Sequence, residues 1–163
     1  MRKKEGFTLI ELLIVIGIIA VLMAIAIVAI NPGKQFAKAN NAKRWGDVAA
    51  VADAISIRTI EYKGSWPTGA GCEALPTSGP YPLAYDDPAD GNDPAIVDIC
   101  DCIVDEYLGS MPKDPTVTAA INCGAAYDTG YEITGTAAGR IKISAPDCDS
   151  TVGTGACPIS VSR

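Results

Sequence analysis

The residue most in need of chemistry is a carboxylate in a greasy segment. From Phe7 to Ile30 the chain reads as an apolar run whose only charge is Glu11. A carboxylate inside hydrocarbon costs about 2.5–3.5 kcal/mol on insertion scales. Glu11 must therefore either reach an interface or meet a counter-charge, and nothing in the run is cationic. A cut between Gly6 and Phe7 would create an α-amino group one helical turn before Glu11. On the same chain that pairing is awkward; on a neighbouring copy shifted along the helix axis it is natural. A lone buried polar group of this kind sets register between packed helices.

Six cysteines form the second group: Cys72, Cys100, Cys102, Cys123, Cys148 and Cys157, all downstream of the run. An even count in a small loop-rich region predicts disulfides and an oxidising compartment. Six cysteines allow 15 pairings. Cys148 with Cys157 is favoured because it closes a short Gly/Ser/Thr loop. Cys100 and Cys102 are expected to bond elsewhere, since that spacing gives poor bridging geometry. The chain has no histidine and no C-x-x-C, which argues against zinc.

The acidic stretch "YDDPADGNDPAIVDICD" offers Asp86, Asp87, Asp90 and Asp93 as weak calcium candidates. Aligned on Gly91, an EF-hand pattern places Asp86 and Asp90 correctly but puts Pro88, Pro94 and Val97 where ligands belong. Asp and Asn also build turns unaided. No cofactor is expected otherwise. Without histidine there is no Ser–His or Cys–His pair, and no glycine loop cradles phosphate ahead of a helix, so an enzyme is not expected. The net charge is −6; the first six residues carry +2, so the remaining side chains carry −8. Nucleic acid is not an expected partner for such a chain.

These groups need elements to hold them. The apolar run is about long enough to cross a bilayer as a helix. Asn31, Pro32 and Gly33 then end or kink it. Over residues 34–62, Trp45, Val48, Ala49, Ala52, Ile55, Ser56 and Thr59 recur at helical spacing, opposite Lys43, Asp47, Ala50, Ala54, Arg58 and Glu61. This predicts an amphipathic helix whose apolar face floors the downstream domain, ending at Gly64 and Pro67. Residues 68–93 read as a long ordered loop. Asp93-Pro94 reads as the start of a second helix carrying Ile96, Ile99, Cys100, Ile103 and Tyr107, stopped by Gly109. "YEITGTAAGRIKISAP" predicts a hairpin, with Tyr131 and Ile133 alternating against Ile141 and Ile143. The tail 147–163 reads as loop.

"KKEG" followed by "FTLIELLIVIGIIAVLMAIAI" resembles the amino terminus of type IV pilins and type II secretion pseudopilins. The resemblance implies that a short leader bearing Arg2, Lys3 and Lys4 is removed after Gly6 by a prepilin peptidase. It implies too that Phe7 is methylated and that Glu11 answers a neighbour's amine during assembly. Gly6 suits a cleavage site because backbone without a side chain can approach an enzyme closely. Glu5 departs from a fully basic leader, and Pro32 lies somewhat later than many pilins place theirs. "YKGSWPT" and "YLGSMPKDP" resemble the body of G-type pseudopilins more weakly. That likeness implies a calcium site in a carboxy-terminal loop, for which Asp147 and Asp149 are candidates.

The expected fold is α+β and lollipop-shaped. It comprises a leader (1–6), a transmembrane helix (7–30), a kink and amphipathic helix (31–67), and a disulfide-containing head (68–163). The expected role is a structural subunit of a type IV pilus-like filament, displayed at the cell surface after assembly. Its partners would be copies of itself or other pilins, prepilin peptidase/methylase, an inner-membrane assembly platform, and lipid before assembly. Before assembly it would sit single-pass in the inner membrane with its head outside the cytoplasm. Two other readings compete: a pseudopilin of a type II secretion system, and a membrane-anchored extracytoplasmic binding domain. An ordinary secretory signal cut near Ala24-Ile25-Ala26 fits less well, because the apolar stretch is long for one and contains Glu11.

Overall fold

The computed structural model describes residues 6–69, 71–85, 96–136, 138–152 and 157–163. The chain divides into two compact units, Met1–Ala37 and Lys38–Arg163. The fold is α+β, with two long helices preceding a small antiparallel sheet.

In the first unit, α1 spans Leu9–Ile30 and none of its residues is buried. Its 22 residues are long and apolar enough to cross a membrane. Asn31 ends α1 in the left-handed region, at φ 46°. Asparagine tolerates that conformation better than most residues, and a residue before proline is steered away from the right-handed helix. Pro32 then opens α2 (Pro32–Glu61) at the first helical position, where its missing N–H costs nothing. The helix is thus interrupted by one residue and resumes.

In the second unit, α2 stops at Glu61, and the N–H of Gly64 (φ +88°) bonds the carbonyl of Thr59 at 2.7 Å. Four strands follow: β1 (Tyr81–Tyr85), β2 (Tyr127–Gly135), β3 (Ile141–Ala145) and β4 (Ile159–Ser162). They pair antiparallel in the order β1-β2-β3-β4. The β2–β3 hairpin registers Ile133 against Ile143 and Gly135 against Ile141. Tyr127, Thr129, Tyr131 and Ile133 alternate inward along β2, the pattern expected of a strand with one buried face.

Several expectations are corrected. β1 lies inside the stretch expected to be loop. Pro82 confines it to a sheet edge, and its register shifts between Pro82 and Ala84. There the carbonyl of Leu83 accepts from Thr129 Oγ1 at 2.7 Å. β4 lies in the tail, also expected to be loop. The second helix shrinks to α3 (Cys100–Ile103). Upstream of it, Val97 is taken by β1: its N–H bonds Pro82 and its carbonyl accepts from Ala84. The Asp98 carbonyl accepts from the Glu73 N–H, and its own N–H donates to the Glu73 carboxylate. A backbone already paired sideways cannot also form helical bonds.

The buried stripe of α2 is rotated from the one expected. Arg44, Val48, Val51, Ala52, Ala54, Ile55 and Arg58 are buried, while Trp45 is 48% exposed. The core joins these aliphatics to Leu83, Ile99, Ile103, Tyr131, Ile133 and Ile143. Two arginines fit the inner face because each finds partners there. Arg44 binds Asp114 through Nε and Nη2, at 2.6 and 2.9 Å. Arg58 donates to the carbonyls of Cys102 and Pro67, and its guanidinium lies 5.0 and 5.1 Å from the rings of Tyr62 and Trp66. Trp66 in turn donates its indole N–H to the carbonyl of Glu73 at 2.8 Å.

Candidate processing and assembly site

Gly6 and Phe7 precede α1 outside any helix or strand and are exposed, Phe7 to 92%. Arg2, Lys3 and Lys4 lie outside the described residues. Thr8 caps α1. Its hydroxyl accepts from the N–H of Glu11, while the Glu11 carboxylate accepts from the Thr8 N–H at 2.8 Å and from Thr8 Oγ1 at 2.7 Å. This reciprocal arrangement satisfies two donors that a helix start leaves without partners. It also places the carboxylate at the positive end of the helix dipole. The lone acid is therefore hydrogen-bonded by its own chain, and among the described residues no cation pairs with it. The Thr-x-x-Glu spacing of Thr8 and Glu11 is the sequence signal for this box, and Thr8 joins Glu11 as a site residue on that account.

The second unit holds its own segments onto α2 with buried polar contacts. Burial pushes the Asp114 carboxyl up, but hydrogen bonds from Arg44 and Thr116 more than offset it and leave it below the usual carboxylate range. Gly130, at φ +72°, lets this pair form: a Cβ there would sit 2.9 Å from that of Asp114. Tyr131 donates its hydroxyl to Asp47 at 2.8 Å, and burial first, then this bond, raise its ionisation above the ordinary range. Asn41 takes the loop after β3, donating to the carbonyl of Asp149 at 2.8 Å and accepting from its N–H at 3.1 Å.

Three disulfides join Cys72 to Cys102, Cys100 to Cys123 and Cys148 to Cys157. The calcium candidates Asp86, Asp87, Asp90 and Asp93 lie outside the described residues. Asp149 Oδ1 accepts from the N–H and the hydroxyl of Thr151, at 2.8 and 2.6 Å, and these bonds hold its carboxyl below the usual carboxylate range. Among the described residues no three His, Cys, Asp or Glu side chains gather to hold a metal.

An apolar helix with nothing buried, opened by a capped acid beside an exposed Gly-Phe junction, and a separate disulfide-bonded α+β unit together define a pilin-like subunit. Residues 1–27 match the prokaryotic N-terminal methylation motif. Over 117 residues the chain is 30% identical to type II secretion system core protein G of Pseudomonas aeruginosa, covering 70% of this chain and 69% of that one. The same protein of Aeromonas hydrophila is 30% identical, with 70% and 68% covered, and that of Vibrio cholerae 28%, with 71% and 67%. The chain belongs to this core protein G family. No solved structure matches it significantly.

Proposed function

We propose that the chain is a structural, non-catalytic subunit of a type II secretion pseudopilus. It is held in the inner membrane as a precursor, cut between Gly6 and Phe7 by prepilin peptidase, methylated at Phe7, and assembled with its own kind or other pseudopilins on an inner-membrane platform. The carrying observation is α1 itself: 22 residues, none buried, with one carboxylate that Thr8 hydrogen-bonds but does not neutralise. A helix so exposed needs lipid before assembly and neighbouring helices afterwards. Assembly is then an exchange of apolar surroundings, and pairing of Glu11 with a neighbour's new amine supplies register. The disulfides favour a head outside the cytoplasm.

Mass spectrometry of the mature chain tests the first step. The expected chain begins at N-methylated Phe7; one still carrying Arg2, Lys3 and Lys4 overturns the reading. The Glu11→Ala variant is expected to insert and be cut normally yet enter filaments poorly, and normal filaments from it would refute the register role. The relatives' names favour secretion over a surface pilus. Deleting the chain should therefore abolish export of secreted proteins; loss of surface pili with export intact would favour the pilus instead.

A further inference from the structure

Cys100 and Cys102 pose a choice of partners that the filament reading does not address. Cys72 bonds Cys102, and Cys100 bonds Cys123. The exchanged set, Cys72 with Cys100 and Cys102 with Cys123, closes loops only two residues shorter than the 30 and 23 observed. Loop-closure entropy follows the logarithm of loop length and is blind to so small a difference. Once formed, α3 turns the two cysteines to opposite sides, since residues two apart on a helix stand about 200° apart. With four residues, however, α3 is too short to form unaided. The choice falls to whatever orients this segment before the bonds close.

Arg58 meets both ends of the observed bond. From the buried face of α2, its Nη1 donates to the Cys102 carbonyl at 3.0 Å. Its Nη2 donates to the carbonyl of Pro67, five residues ahead of Cys72, at 3.3 Å, and lies 3.8 Å from Cys72 Sγ. One planar fork thus spans the two segments that the bond joins. The Asp101 N–H, bonded to the Gly71 carbonyl at 3.2 Å, draws them together from the other side. Stability alone accounts poorly for this arginine. It is buried, yet its Nε has no partner among the described residues. The carboxylate it meets, Glu106 Oε2, is 3.7 Å away on a side chain 66% exposed. Burying a cation with a donor left over is costly, and an apolar side chain of similar volume often serves a core as well.

We propose that Arg58 is a pairing template, which holds Cys102 rather than Cys100 against Cys72 while the disulfides form. The chemistry is thiol–disulfide exchange with a small-molecule disulfide such as oxidised glutathione. The Cys72 thiolate attacks it, forming a mixed disulfide and releasing one thiolate. The Cys102 thiolate then attacks the Cys72 sulfur and releases the second. Two electrons and two protons pass from the protein to the small disulfide, which becomes two thiols. The role holds whether or not the chain enters a filament.

The test reoxidises the full chain, reduced and unfolded in detergent and urea, in a glutathione buffer with the urea either removed or kept. Bonds are mapped by mass spectrometry after cleavage before Asp101, which separates Cys100 from Cys102. Wild type should give Cys72–Cys102 without urea and a mixture with it. Arg58→Met keeps the bulk and removes the fork. Without urea it should raise the exchanged set about tenfold over wild type, ~1.4 kcal/mol of lost preference, while Cys148–Cys157 forms as before. Wild-type pairing in Arg58→Met overturns the inference, as does equal selectivity of the wild type in urea. Scrambling that also reaches Cys148 and Cys157 overturns it too, because that is loss of fold rather than loss of choice. Each of these results leaves the filament reading standing.

Discussion

The two units of this chain handle polarity in opposite ways. In α1, large apolar side chains face outward all round and the single acid is capped by the residue that starts the helix. In the second unit, apolar side chains turn inward, and two arginines and two aspartates are buried with them, Arg44 and Asp114 paired and Arg58 and Asp98 otherwise bonded. One unit is incomplete until something apolar surrounds it. The other is a finished core whose stability belongs to itself. The lesson is that a buried charge is tolerated here where the fold supplies a partner, whereas Glu11 keeps a charge for which the described residues supply no cation.

The largest test of that contrast is the buried pair. Arg44→Ala should destabilise the second unit by about 3–5 kcal/mol, because it strands Asp114 in the core. Urea unfolding followed by near-ultraviolet circular dichroism measures this, and a loss below about 1 kcal/mol would class the pair with ordinary surface bridges. Next come matched truncations. Ile143→Ala, fully buried, should cost roughly 2–5 kcal/mol, while Ile14→Ala, on exposed α1, should leave the same transition unmoved. A shift from Ile14→Ala would show that the units are not energetically separate. The smallest effect is the acid limb. Asp114 is depressed in the folded state, so its contribution is fully present above the unfolded value of about 3.9 and is lost as pH falls through the lower folded value. The Asp114→Asn variant should lose that part of the pH dependence, as read by melts between neutral pH and the acid limit.

Periodicity made much of this molecule legible. The apolar helix, the helix after it and the β2–β3 hairpin each repeat their pattern long enough to be read. What stayed hidden depends on partners distant in the chain. The rotation of α2 turns on Arg44 and Arg58, which count as solvent-facing until Asp114 and the carbonyls of Cys102 and Pro67 are in place. β1 is five residues long with a proline inside, and β4 is four, so neither outweighs the turn residues around it. The helical spacing from Ile96 to Tyr107 is real, but Val97 and Asp98 give their backbone bonds to β1 and Glu73. At the amino terminus, weighing Glu11 as a charge concealed it as an acceptor for Thr8.

The stack of Arg58 between Tyr62 and Trp66 has a practical consequence. Of the two indoles, Trp66 is anchored in the head beside a fixed cation, whereas Trp45 stands half open on α2. Fluorescence from the first should follow unfolding of the head and that from the second the arrival of a neighbour. The polypeptide thereby carries two optical gauges in different surroundings, and replacing either indole with phenylalanine isolates the other signal.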